Sequence, residues 1–172
     1  MGPRFSHGII RGAAKRCSRG FPQVLFCWPL RDMKPFPTSF WLICPYLSRL
    51  LGRMESDGGV REMENASIGR EEQWKEYHKL HALLRLSMIG SAERGFLRRH
   101  KRTLYRALSN RGVGGIAGPG RDAPSLGRKG FVKCLHLQAA SYLGIGRHPM
   151  SGWLSARISD WECRDGECAL TK

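Results

Sequence analysis

The longest apolar stretch of the chain, residues 36 to 51, is cut by Pro37 and Pro45 and carries Arg49. That interruption decides what the stretch can become. A helix needs about 20 predominantly apolar residues to cross a bilayer, so this one is not a membrane span. Ser39 to Ile43, apolar and aromatic, reads instead as a strand. Pro45 sits where a helix begins, because its missing N–H is one that the first helical turn leaves unpaired anyway. Tyr46, Leu47, Leu50, Leu51 and Met54 follow at helical spacing, and Gly58-Gly59 stops the run.

The same reading extends in both directions. Val24 to Trp28 predicts a short buried strand closed by Pro29, and Lys34-Pro35-Phe36-Pro37 a rigid extended connector. Val60-Arg61-Glu62-Met63 alternates as a half-buried third strand would. Residues 71–89 give the clearest helix, with acids in the first turn and a stripe of Trp74, Tyr77, His81, Leu84 and Met88. A second, basic helix is expected over 92–109 and a third over 132–143, stopped at Gly144 and Gly146. Residues 110–130, dense in Gly, Pro and Arg, read as a long loop. With 172 residues and 41% hydrophobic content, the chain suits one core. The expectation is a single α+β domain over 9–158. Its small, mostly antiparallel sheet comes from 24–28, 39–43 and 60–63, covered by four or five helices. Residues 1–8 form a flexible start, with the chain up to 15 mobile or lying along an edge. Residues 159–172 form an acidic tail holding Cys163 and Cys168.

A formal net charge of +15 arises mainly at the N-terminus and in residues 93–133. Such a field attracts phosphates, nucleic acids or anionic surfaces without specifying which, and it equally serves solubility. Within the second region Arg98, Arg99, Lys101, Arg102 and Arg106 offer phosphate contacts for nonspecific nucleic-acid binding. Base reading wants exposed aromatics, and Tyr105 is the main one there. Ile9-Ile10 is too short an apolar core for a secretory signal, which leads to the expectation of a cytoplasmic protein. Six cysteines without an export signal then imply reduced thiols.

Those thiols suggest three roles: metal binding, reactivity, or burial as small hydrophobes. Cys44 precedes a helix start, where unpaired N–H groups and the dipole favour a thiolate, and Cys134 is placed to gain in the same way. Cys17, Cys44 and Cys134 with His136 make a donor set suited to zinc or an iron–sulfur cluster. One geometric condition applies. Residues i and i+2 on an α-helix point about 200° apart, so Cys134 and His136 can share a site only if the chain there is extended or just entering its helix.

Gly112-x-Gly114-Gly115 frees the backbone for positive φ, letting successive N–H groups converge on an oxyanion. With Arg111 before it, and Lys133 and His136 after the loop, the turn predicts a site for a phosphate-containing or other anionic ligand. The spacing is neither a Walker sequence nor a dinucleotide fingerprint. No Ser-His-Asp order and no His-Glu motif assigns a reaction, and whether the protein is an enzyme stays open at this level.

Four blocks carry a family resemblance: Arg16-Cys17-Ser18-Arg19-Gly20-Phe21-Pro22-Gln23-Val24, Pro35 to Pro45, Gly112-Val113-Gly114-Gly115-Ile116, and Val132-Lys133-Cys134-Leu135-His136. In order and spacing, across roughly residues 9–158, the chain resembles the bacterial domain-of-unknown-function family 501. It departs from that pattern at Arg19, where relatives have a further cysteine, and at His148-Pro149, where Asn-Pro is usual. Residues 117–130 form an enlarged loop by the same comparison. The resemblance implies a fold and candidate positions, but no activity.

Overall fold

A computed structural model describes residues 7–36, 38–115, 132–164, 166 and 168. The extended segments form five strands: β1 (Ile10–Arg16), β2 (Pro22–Cys27), β3 (Leu30–Arg31), β4 (Lys34–Pro35) and β5 (Phe40–Leu42). β1, β2 and β5 make an antiparallel sheet in that order, with Ala13 opposite Leu25 and Leu25 opposite Trp41. β1 is an edge strand whose residues do not alternate in burial, so its sequence lacks the period-2 signal and its hold is the backbone ladder to β2. The expected connector at 34–37 is partly strand. β3 and β4 form a hairpin, and Asp32 and Met33 take φ of 50° and 55°, the pair of positive values that a two-residue turn needs.

The helices are α1 (Pro45–Ser56), α2 (Gly59–Ala66), α3 (Glu71–Met88), α4 (Ser91–His100), α5 (Arg102–Asn110), α6 (Leu135–Ile145) and α7 (Ser151–Arg157), and α6 packs on the three-stranded sheet. Residues 60–63, expected as a third strand, lie in α2. Val60 and Met63 also stand at i and i+3, the spacing of one helix face. Gly58, at φ 90°, turns the chain out of α1 so that Met63 becomes wholly buried. Gly59 is needed there, since a Cβ would lie 2.7 Å from the Met54 carbonyl oxygen. The helix expected over 92–109 is two helices, because Lys101 leaves helical geometry at φ −132°, ψ 53°. The helix expected at 132 begins at Leu135, and α7 lay outside the sequence expectation. Most of the long loop expected at 110–130 lies outside the described residues.

The main core gathers Leu47 and Leu51 of α1, Met63 of α2, Trp74 and Tyr77 of α3, and Leu135 of α6. Leu47, Leu51 and Leu135 have no exposed surface. Each such burial contributes about 1.5–3 kcal/mol before the entropy of ordering is counted. α6 packs on β5, α1 and β2, so its N-terminus arrives where sheet and helices meet. Among the described residues, no helix is long and apolar enough to cross a membrane.

Candidate functional site

At the N-terminus of α6 lies a cavity of about 290 Å³. One wall is the end of the sheet, with Thr38, Phe40, Trp41 and Leu42. The other is Gly114 with Lys133, Cys134, His136 and Leu137. Gly114, Lys133, Cys134 and His136 are thus brought to one pocket from segments well apart in sequence. The condition set by helical geometry is met, because Cys134 is the extended residue just before α6, at φ −167° and ψ 157°. Its sulfur accepts the Leu137 N–H at 3.4 Å. Burial chiefly pushes the Cys134 thiol above its ordinary pKa and the Glu55 charge adds to this, against the lowering that its place at a helix start suggested.

The α6 N-terminus is already occupied by a carboxylate of the chain itself. Glu55 Oε1 accepts the N–H of Leu135 at 2.6 Å, the N–H of His136 at 3.2 Å and His136 Nδ1–H at 2.9 Å. The other ring nitrogen of His136 faces the Ser48 carbonyl at 3.0 Å. Both polar atoms of His136 therefore have partners within the protein. Lys133 is exposed at the rim and is the cation lining this cavity.

The remaining residues of the anticipated anion site are used differently. The Val113 N–H donates to His78 Nδ1 at 3.2 Å and the Gly115 N–H donates to the Gly112 carbonyl at 3.3 Å, so these two N–H groups of the turn are spent inside the protein. Its glycines serve close packing. A Cβ on Gly112 would lie 2.0 Å from His78 Nδ1, and one on Gly114, at φ 59°, would lie 2.3 Å from Leu137 Cδ2. Arg111 and Gly115 line a separate recess of about 80 Å³ with Arg85.

The anticipated metal donors divide into two groups. Cys134 and His136 belong to the cavity. Cys44 is buried beside the start of α1, and the charge neighbours of Cys168 are Cys44, Cys163 and Cys17. Among the described residues, no group of three or more His, Cys, Asp or Glu side chains could hold a metal ion. Cys27 is buried in β2 and its thiol is pushed up to about 11 by burial. Arg98 and Arg99 on α4, Lys101, and Arg102 and Arg106 on α5 are all exposed. Phe96, 45% exposed, rests its ring 4.9 Å from that of His100 beside them.

Sequence reasoning placed His81 on the buried stripe of α3 but missed Arg85, His148 and the polar layer they form beneath the helix. His78, His81 and Arg85 are buried along the same face as Trp74 and Tyr77. The signal was present in the spacing of 74, 77/78, 81 and 85, which is one helical stripe. His148 accepts the Met150 N–H on Nδ1 at 3.0 Å, so its proton is on Nε2 and goes to Gln138 Oε1 at 2.9 Å. His81 Nε2, Ser141 Oγ and Tyr77 OH form a chain with spacings of 2.7 and 2.6 Å. Burial, with the Arg85 charge second for both, lowers the pKa of His78 to about 4 and of His81 to about 3. Burial followed by the His78 charge lowers that of His148 to about 3.

A larger cavity of about 540 Å³ opens over the outer side of this layer, between α3 and Arg147-His148-Pro149. Most of its polar lining is engaged. Glu76 and Lys79 pair at 3.9 Å, and Tyr77 and His148 make the internal bonds just described.

A family model described as Protein of unknown function (DUF501) matches residues 13–156. No curated protein and no solved structure matches the chain.

Proposed function

The chain belongs to the DUF501 family of proteins of unknown function, and from that premise we propose that it binds a small ligand carrying an anionic group and an apolar or aromatic body. The observation that carries this reading is the 290 Å³ cavity in which Lys133 and Thr38 stand beside Phe40, Trp41, Leu42 and Leu137. Pockets for small molecules are mostly apolar, with a few polar groups that fix orientation. Here Lys133 supplies charge for a phosphate or carboxylate, and Thr38 offers a hydroxyl. The aromatic wall supplies contact area. Glu55 already fills the α6 N-terminus, so the ligand's anionic group is held by the Lys133 side of the pocket rather than by the helix end.

Trp41 lines the cavity and gives the assay. The protein is titrated with inorganic phosphate, a nucleoside monophosphate and an aromatic carboxylate while tryptophan fluorescence is followed. The expected result is saturable quenching by at least one organic anion and a tenfold or greater loss of affinity in Lys133→Ala. Equal binding by Lys133→Ala and the unaltered chain, or no response to any probe, defeats the reading.

A second reading is supported by the exposed set Arg98, Arg99, Lys101, Arg102 and Arg106 next to exposed Phe96. It is nonspecific contact with nucleic-acid phosphates. Counterion release makes such binding fall steeply with salt, and affinity for a random single-stranded oligonucleotide that stays flat from low to moderate salt rejects it.

A further inference from the structure

The cavity of about 540 Å³ over α3 shares no lining residue with the one at α6. One of its walls is a helix stripe. Gln73, Glu76, Leu80 and Leu83 stand at i, i+3, i+7 and i+10 of α3, so they rise along one face. Leu83 is 56% exposed and Leu80 half-buried, which leaves apolar surface open on this wall. The opposite wall is the corner that follows α6, and the chain holds that corner in place. Gly146 ends α6 at φ 82°, a left-handed turn suited to glycine, and its N–H donates to the Tyr142 carbonyl at 2.7 Å. The Ser151 N–H donates to the His148 carbonyl at 3.0 Å, and Arg70 Nη1 donates to the Pro149 carbonyl at 3.4 Å. Arg147 is thus carried between two anchored residues while its own side chain is exposed.

The charges of the lining leave one cation over. Glu76 and Lys79 pair at 3.9 Å. His148 accepts the Met150 N–H on Nδ1, so its ring is neutral, and its Nε2–H goes to Gln138 Oε1. The Tyr77 hydroxyl lies 2.6 Å from Ser141 Oγ. Among the described residues, Arg147 has no hydrogen-bond or ion-pair partner.

We propose that this cavity binds a medium-chain aliphatic monocarboxylate, with its chain on Leu80, Leu83 and Pro149 and its carboxylate on the Arg147 guanidinium. The volume lies within the roughly 300–1,000 Å³ of small-molecule sites. Tyr77 and His148, already bonded inside the protein, offer a ligand little hydrogen bonding, which selects an apolar body over a polar one. The one unpaired cation selects one anionic group. A guanidinium meets a carboxylate with two parallel N–H donors, a match that an ammonium lacks. Because the corner carrying Arg147 is held by backbone hydrogen bonds before any ligand arrives, binding orders little more than the arginine side chain itself. This site is independent of the reading given to the α6 cavity.

The full chain, carrying carbon-13 in its leucine methyl groups, is titrated with butyrate, octanoate and octylammonium while the Leu80 and Leu83 methyl resonances are followed. The expected result is a saturable shift of both with octanoate and none that saturates with octylammonium. Butyrate binds at least tenfold more weakly, because each further methylene buried raises affinity roughly fourfold. Arg147→Gln, a change at an exposed position, weakens octanoate at least tenfold, and Lys133→Ala leaves it unchanged. The Lys133 comparison separates this site from the α6 cavity, whose ligand depends on that lysine. Shifts that never saturate, butyrate or octylammonium bound as tightly as octanoate, an Arg147→Gln variant equal to the parent, or octanoate binding lost in Lys133→Ala overturns the proposal.

Discussion

Glu55, near the end of α1, closes the N-terminus of α6 by accepting both the backbone N–H and the ring Nδ1–H of His136. One carboxylate thereby does the work that a Ser, Thr or Asp in the preceding position does for many helices, and it does so from 81 residues away. It fixes the angle between two helices of the main core and, with it, the wall of the cavity.

Glu55→Ala is therefore predicted to destabilise the fold by about 1–2 kcal/mol, the usual loss for a helix cap with charge-assisted bonds. For a domain of this size that is a fall in Tm of roughly 2–8 °C. Glu55→Gln, which keeps an acceptor, should lose less. Thermal melts of the three proteins at neutral pH check the order, and an alanine variant as stable as the parent removes this role from Glu55.

The buried histidines make stability depend on pH. His78, His81 and His148 have folded pKa values of about 4, 3 and 3, below the unfolded value of 6.5. Between those limits the unfolded chain binds more protons than the folded one. The contribution is whole above pH 6.5 and is lost as pH falls from there towards 4 and then 3. The urea midpoint should drop between pH 7.5 and pH 5, and drop less in His148→Gln. A midpoint that does not move over that interval contradicts the neutral, buried state of these rings.

Arg85 is 1% exposed, and among the described residues its hydrogen bonds go to backbone carbonyls. It donates to the carbonyls of Leu108, Arg111 and Gly112, where α5 ends and the glycine turn begins. Burial lowers its pKa to about 10, so it stays charged at neutral pH and holds the carbonyls of Leu108 and Arg111 together with that of Gly112, which also accepts the Gly115 N–H. Arg85→Ala should cost on the order of 3 kcal/mol by removing the donors that hold these carbonyls and leaving a cavity in the buried layer. Arg85→Lys should recover only part of it, since an ammonium lacks the planar fork. Denaturant unfolding measures both, and a neutral Arg85→Ala refutes the argument.

Two glycines give opposite expectations. A Cβ at Gly112 collides with the His78 ring, whereas one at Gly52, within α1, meets nothing within 4 Å. Gly112→Ala should therefore destabilise by more than about 1 kcal/mol, and Gly52→Ala should stabilise by about 0.5–1 kcal/mol through helix propensity. Circular-dichroism melts compare them directly. Equal effects of the two substitutions would show that the glycine turn is not packed against α3 as described.

Much of the fold was legible where the signal is local. Pro45 and the spacing of Leu47 and Leu51 identified α1 with its observed bounds, and Trp74, Tyr77 and His81 identified α3. Of the residues anticipated for one site, Gly114, Lys133, Cys134 and His136 line one cavity, while Arg111 and Gly115 line another. Local signals failed where a neighbour decides. Val60 to Met63 satisfies both a strand and a helix pattern over four residues, and only packing of Met63 and Gly59 under α1 and α6 selects the helix. β1 has no burial alternation to read, because an edge strand is defined by its partner.

The sequence by itself therefore determined the α+β class, the strand–proline–helix unit around Pro45, the basic charge and the residue types gathered at α6. Tertiary structure alone decided their partners: Glu55 rather than a ligand at the α6 N-terminus, Arg85 beneath the glycine turn, and Gln23 beside both the start of α1 and the Trp161 carbonyl. The physical reason is range. Backbone sterics and helical periodicity act over a few neighbouring residues and are written in their order. Hydrogen-bond satisfaction and desolvation act between whichever groups the packed chain brings within about 3 Å, whatever their separation in sequence.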